Sequence, residues 1–172
     1  MELRTERLVL RPVTEDDVDA MLAVRNAPAV IGTTNTKEPL PRERMAGQVG
    51  RRVASWRERD FGSWLILLEG EPIGFVEVHP IGEGSGVDPG ELELGVVLHP
   101  GQWGQGIALE AGAAAARDLF ERVGRERVYA GVEATNDKSL RLLAKVPGVR
   151  HLGGELYELD RAALGSLSCA KS

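Results

Sequence analysis

The run Pro100-Gly101-Gln102-Trp103-Gly104-Gln105-Gly106 sets three glycines just ahead of a helical pattern of Ile107, Ala108, Ala111, Ala115 and Leu119. Such a joint can hold an anion with backbone alone. The first amides of a helix have no intrahelical acceptor, and the helix dipole adds roughly half a positive charge at that end. Two familiar phosphate loops are excluded by the residues next to these glycines. Gly101 and Gly106 have P-loop spacing, but Ile107-Ala108 stands where a lysine and a hydroxyl residue are required. Gly104 and Gly106 would begin a dinucleotide fingerprint, yet Leu109 occupies the place of its third glycine. His79, His99 and His151 are scattered and no cysteine pair occurs, so no metal is expected. Gly84-Ser85-Gly86 does not make a nucleophile elbow.

The residues around this turn resemble the pyrophosphate loop of the GNAT acyltransferase superfamily, and within it the RimJ/RimL-like N-acetyltransferase branch. The resemblance is carried by His99-Pro100, then Trp103-Gly104-Gln105-Gly106-Ile107-Ala108, then Glu110-Ala111. Trp103, where the wider superfamily has Gln or Arg, is typical of that branch. Thr5-Glu-Arg-Leu-Val-Leu-Arg11 and the Thr14/Asp17 pair resemble it independently, and Asn136, Ser139, Leu143 and Lys145 match a later motif. Pro147 and Val149 depart from that motif, which continues with glycine and an aromatic.

The resemblance implies acetyl transfer from acetyl-CoA to an amine, either a peptide N-terminus or a small-molecule amine, by direct attack in a ternary complex. Donor contacts are expected from Val96, Val97, Leu98, Trp103, Gly104, Gln105, Gly106, Ile107, Ala108 and Asn136. A backbone N–H near Val97 would hold the thioester oxyanion. Glu93, beside an expected bulge at Gly95, is the first candidate base, and Glu77 is the second. Many superfamily members protonate the leaving thiolate with a tyrosine; Leu143 stands there, and Ser139 is the substitute. Tyr157 is a weaker alternative, and Glu110 is expected to support structure. A CoA-binding sensor without chemistry is the rival reading, and a longer acyl donor such as succinyl-CoA is another.

Glu91, Glu93, Gly95 and Val97 alternate with Leu92, Leu94, Val96 and Leu98, so the loop is delivered by a strand. Ahead of it the pattern gives a strand at 7–11, a helix from 14 to about 26, an irregular stretch at 28–41 and an arginine-rich helix at 42–60. Strands at 63–68 and 73–78 come next, with a turn at 69–72. A glycine-rich linker spans 81–90, and after the loop helix come a strand at 127–134, a helix from Asn136 and a hairpin around Gly153-Gly154. This order implies the GNAT fold: an α+β layered protein with a mixed, mostly antiparallel sheet of roughly six to seven strands, splayed at the cofactor site, and about four helices. One domain over 1–172 is expected, its tail running from about residue 160.

With 172 residues and a formal charge of −5, the chain does not read as a nucleic-acid binder. No apolar run is long enough to span a bilayer. The charged residues 1–7 do not read as a secretory signal, and the lone Cys169 fits a reducing compartment, so a cytoplasmic location is expected. The arginine-rich helix is expected to be a solvated face paired with acids. Partners reduce to the amine substrate, with a homodimer compatible with the resemblance and neither nucleic acid nor membrane expected.

Overall fold

Leu8 and Leu10 put their apolar side chains on one face of a short extended run. In the structure, a computed structural model that describes residues 1–33, 37–83, 85–162 and 164, this run is strand β2 (Leu8–Pro12). It pairs antiparallel with β1 (Leu3–Arg4) and with β3 (Trp64–Leu68). The chain continues through α1 (Val18–Arg25), α2 (Pro28–Ile31) and α3 (Arg42–Arg59). β4 (Glu71–Pro80), β5 (Leu92–Leu98), α4 (Ile107–Glu121), β6 (Arg127–Gly131), α5 (Asp137–Leu143), β7 (Arg150–Gly153) and β8 (Leu156–Asp160) complete it. Hydrogen-bonded neighbours take the order β1-β2-β3-β4-β5-β6-β8-β7. The β3–β4, β6–β8 and β7–β8 pairs are antiparallel, whereas β5 and β6 are parallel and are joined by the crossover helix α4 that a parallel pair requires.

The mixed, mostly antiparallel sheet is as expected, but among the described residues it has eight strands rather than six or seven. The additional one is β1, where Leu3 and Arg4 pair with Leu10 and Val9. A two-residue strand has no alternation to read. One-turn α2 likewise lies in the stretch expected to be irregular, started by Pro28 at its first position, where the missing N–H costs nothing. Residues 34–36 of that stretch, Cys169 and the tail beyond 164 lie outside the described residues.

Two compact units divide the chain: Met1–Glu77 with Val96–Ala111, and Val78–Gly95 with Gly112–Ser172. In the first, Met45, Val49 and Val53 recur every four residues on α3 and form one buried stripe. They join Val13, Val18, Met21, Val24, Leu65 and Phe75 in a core against which Val97 of β5 also packs. Burial of each large side chain contributes about 1.5–3 kcal/mol. The arginines of α3 turn outward or find acids. Arg42 pairs with Asp19 at 2.7 Å in solvent, and Arg52 pairs with Glu77. Asp17 and Thr14 close a capping box over the single 3-10 turn Glu15–Asp17 that leads into α1. Burial pushes the Asp17 carboxyl up, but hydrogen bonds from Arg11 and Thr14 outweigh this and leave it below the usual range.

In the second unit the linker after β4 is closed at its base, Ile81 N–H donating to Glu91 at 2.7 Å and Gly90 N–H to Ile81 at 3.3 Å. Ala115, Ala116, Leu119 and Phe120 of α4 are buried, and Arg122 holds the buried Asp118 one turn away at 2.7 Å. Glu158 of β8 is buried and paired with Arg150 of β7.

β4 and β5 approach closely in the first unit. His99 N–H donates to Ile73 at 2.8 Å, and a Cβ on Gly74 would lie 2.3 Å from the Val97 carbonyl oxygen. Gly50, by contrast, is an exposed position within α3 where a Cβ would meet nothing within 4 Å. Urea unfolding should therefore separate them. Gly74→Ala is expected to cost at least about 1–3 kcal/mol, and Gly50→Ala to stabilise by about 0.5–1 kcal/mol. Equal effects would contradict this packing.

Candidate functional site

The glycine turn adopts the conformation an anion site needs. After β5, His99 caps a short 3-10 turn over Pro100–Gln102, its Nδ1 accepting from Gly101 N–H at 3.3 Å. Trp103 folds back, its indole N–H donating to the Leu98 carbonyl at 3.0 Å, which ties the loop to the strand end. Gly104 and Gly106 take φ of +78° and +76°, a region that side chains disfavour. Gly104, Gln105 and Gly106 are exposed, Ala108 is half-buried, and Ile107 is buried as the anchor of α4. The Glu110 N–H reaches Gly106 O at 3.1 Å, so the amides before it have no helical carbonyl of their own. Exposed amides, small residues and a helix start fit a diphosphate.

Glu110 in the first turn of α4 is a structural clamp. Its Oε1 accepts from Thr5 Oγ1 at 2.5 Å and from Arg7 N–H at 3.1 Å, and its Oε2 accepts from Arg7 Nε at 2.7 Å. The same guanidinium donates to the Gln105 carbonyl at 3.0 Å. Burial raises the Glu110 carboxyl, but the Thr5 and Arg7 hydrogen bonds and charge more than offset it and hold the group below the usual carboxylate range.

The structure brings Glu77, Val96, Val97, Leu98 and the 103–108 loop into the first unit, and places Glu93, Asn136 and Ser139 in the second. Glu93 is half-buried and accepts from Gly131 N–H of β6 at 3.2 Å. A Cβ on Gly131 would come within 2.7 Å of that carboxylate oxygen, so glycine there makes room for Glu93. β5 and β6 pair at one register position, Glu93 opposite Tyr129, and a Cβ on Gly95 would meet nothing within 4 Å. Glu77 is bound to Arg52, whose guanidinium also lies over the Phe75 ring. Asn136 caps α5 by accepting from Ser139 N–H at 3.2 Å. Leu143 lines a cleft of about 340 Å³ with Leu140, Val146, Val149 and Tyr157. Among the described residues, no group of His, Cys, Asp or Glu could hold a metal ion, and no helix is long and apolar enough to cross a membrane.

The model of the acetyltransferase (GNAT) domain family matches residues 7–147, most of the chain. The chain belongs to the GNAT acetyltransferase family. Its fold is shared by an acetyltransferase from Agrobacterium tumefaciens str. C58, at TM-score 0.75 and 26% identity over 94% of this chain and 95% of that one. An AAC(6')-Ib structure with paromomycin and acetyl-CoA superposes at TM-score 0.78 and 18% identity, covering 97% and 99%. RimJ of Mycobacterium smegmatis, in complex with a CoA disulfide, does so at 0.73 and 21%, covering 99% and 93%. As a GNAT protein the chain is an acetyl-CoA-dependent N-acetyltransferase.

Arg7, Thr5 and Gly131 were not among the site residues expected from sequence. Arg7 and Thr5 lie within the opening motif, but their partner is about a hundred positions away. The clamp has a signed pH dependence. A carboxylate whose folded pKa is depressed adds stability that is complete above its unfolded pKa and disappears as pH falls through the folded one. Thermal melts of wild type and Glu110→Gln should therefore differ most near neutral pH and converge as the pH falls below the usual carboxylate range. A gap that stays constant or widens on acidification would contradict the clamp.

Proposed function

We propose that residues 1–172 act as a single cytoplasmic RimJ/RimL-like N-acetyltransferase domain, moving the acetyl group of acetyl-CoA to a primary amine on a peptide N-terminus or small molecule. The observation that carries this reading is the exposed, positive-φ turn Gly104–Gly106 at the head of α4. Its amides, with those of Ile107 and Ala108, would take the diphosphate, and Trp103 fixes the turn to the end of β5. Pantetheine would run along Val96–Leu98 as an added strand does, with Asn136 also on the donor side. Solved structures of similar fold include an aminoglycoside acetyltransferase and an α-N-protein acetyltransferase of ribosomal L7/L12. Both acceptors are amines, which supports this class without choosing within it.

The amine must attack without its proton. A lysine-type amine has a pKa of about 10.4 and is nearly all charged at neutral pH, whereas an α-amine at about 7.7–8.0 is partly free. Glu93 is assigned as the base, directly or through a water, and Gly131 N–H holds its carboxylate in place. Glu77 is the weaker candidate because Arg52 already occupies it. The amine nitrogen bonds to the thioester carbon, and the Val97 N–H stabilises the oxyanion. The C–S bond then breaks, the nitrogen releases its extra proton to water as the amide forms, and the thiolate takes a proton from Ser139, which water then restores, or from water directly. Ser139 is assigned because Leu143 leaves no phenol at the family's usual position.

Thiol release, screened over peptides and aminoglycosides with the best acceptor carried forward, tests this assignment. Glu93→Gln is expected to lower kcat by about 10²–10⁴-fold while CoA binding persists. Gly131→Ala should lower kcat in the same direction by pushing Glu93 aside. Unchanged turnover in Glu93→Gln would remove the base assignment. CoA binding with no turnover on any amine would favour a sensor.

A further inference from the structure

A carboxylate in the first turn of α4 sits badly with a site for a diphosphate. Glu110 is only partly exposed, and it stands two residues past the last amide assigned to the anion. Left alone it would oppose the dipole that makes the site, because like charges near a helix N-terminus repel an incoming anion. The structure answers with a cation. Arg7 Nη2 lies 2.6 Å from Glu110 Oε2, and Nε of the same side chain is 2.7 Å from that oxygen. Arg7 Nη1 also draws the Gln105 carbonyl to 3.0 Å, which holds that loop dipole away from a ligand on the amide side. The guanidinium runs beside Gly106, where a Cβ would be 3.7 Å from Nη2. Thr5 Oγ1 completes the arrangement at 2.5 Å from Oε1.

We propose that Arg7 is a positioning residue of the donor site: it neutralises Glu110 and pins the 104–106 turn, so that the start of α4 remains attractive to the diphosphate of acetyl-CoA. This rests on the donor reading under Proposed function. Arg7 acts chiefly by neutralising Glu110, with the Gln105 contact a smaller part, and not by touching the phosphates, so most of its contribution depends on the presence of the Glu110 charge.

Calorimetry with CoA on the full chain separates these roles. Arg7→Met should weaken CoA binding about tenfold at low ionic strength, and less in ~0.5 M salt, where screening is short-ranged. In turnover the same variant should raise KM for acetyl-CoA by a similar factor while kcat changes by less than about threefold. Adding Glu110→Gln to Arg7→Met should restore binding to within about threefold of wild type, because no charge is left to compensate. Glu110→Gln alone, which does not depend on the Arg7 variant folding, should bind CoA at least as tightly as wild type even though it melts lower. Unchanged affinity in Arg7→Met would overturn the inference. Equal weakening in Arg7→Met and the double variant, or more than about threefold weakening in Glu110→Gln, would do the same and point to direct contact or simple scaffolding. Wild type that fails to bind CoA at all would instead overturn the donor reading itself.

Discussion

Helix α4 starts with amides that the helix cannot satisfy, and much of the first unit is arranged so that they stay that way. Two glycines with φ of +78° and +76° turn the chain without side chains over the opening. Trp103 fastens the turn to Leu98, and the Thr5–Arg7–Glu110 clamp fastens it to the start of the chain. A helix end in this state would ordinarily be capped by a side chain or covered by water. Leaving it open is useful only if an anion arrives, which is why the proposed donor site rests on the turn and not on any single side chain.

The proposed base obeys a different rule, because the assigned chemistry would depend on one carboxylate being held without being consumed. Glu77 and Glu93 are both strand carboxylates, yet their surroundings divide them. Arg52 takes Glu77 into an ion pair, while Glu93 receives a backbone N–H from Gly131 and retains lone pairs for a proton. The space that Gly131 leaves is therefore a structural requirement of the neighbouring strand. The last hairpin shows the reverse: at Val149 a smaller side chain borders an open cleft beside α5, where the family pattern carries an aromatic.

What was legible in the sequence was local. The glycine turn, the alternation of β5, the Thr14/Asp17 start of α1 and the Asn136 cap of α5 are each set by residues within a few positions of one another. The paired face of α3 was legible from net charge. Features set by distant partners were not legible. Glu110 reaches Thr5 and Arg7 across about a hundred residues, and Gly131 meets Glu93 through a parallel pairing that no short window displays. β1 escaped notice because two residues cannot establish a period, and α2 because one turn resembles a loop.

A crystal of this chain grown with CoA tests the central claim most directly. Diphosphate oxygens are predicted at hydrogen-bond distance, about 2.7–3.2 Å, from backbone nitrogens within residues 104–108, with the pantetheine arm running along Val96–Leu98. CoA bound elsewhere on the chain, or a diphosphate held by side chains with those amides left to solvent, would contradict it.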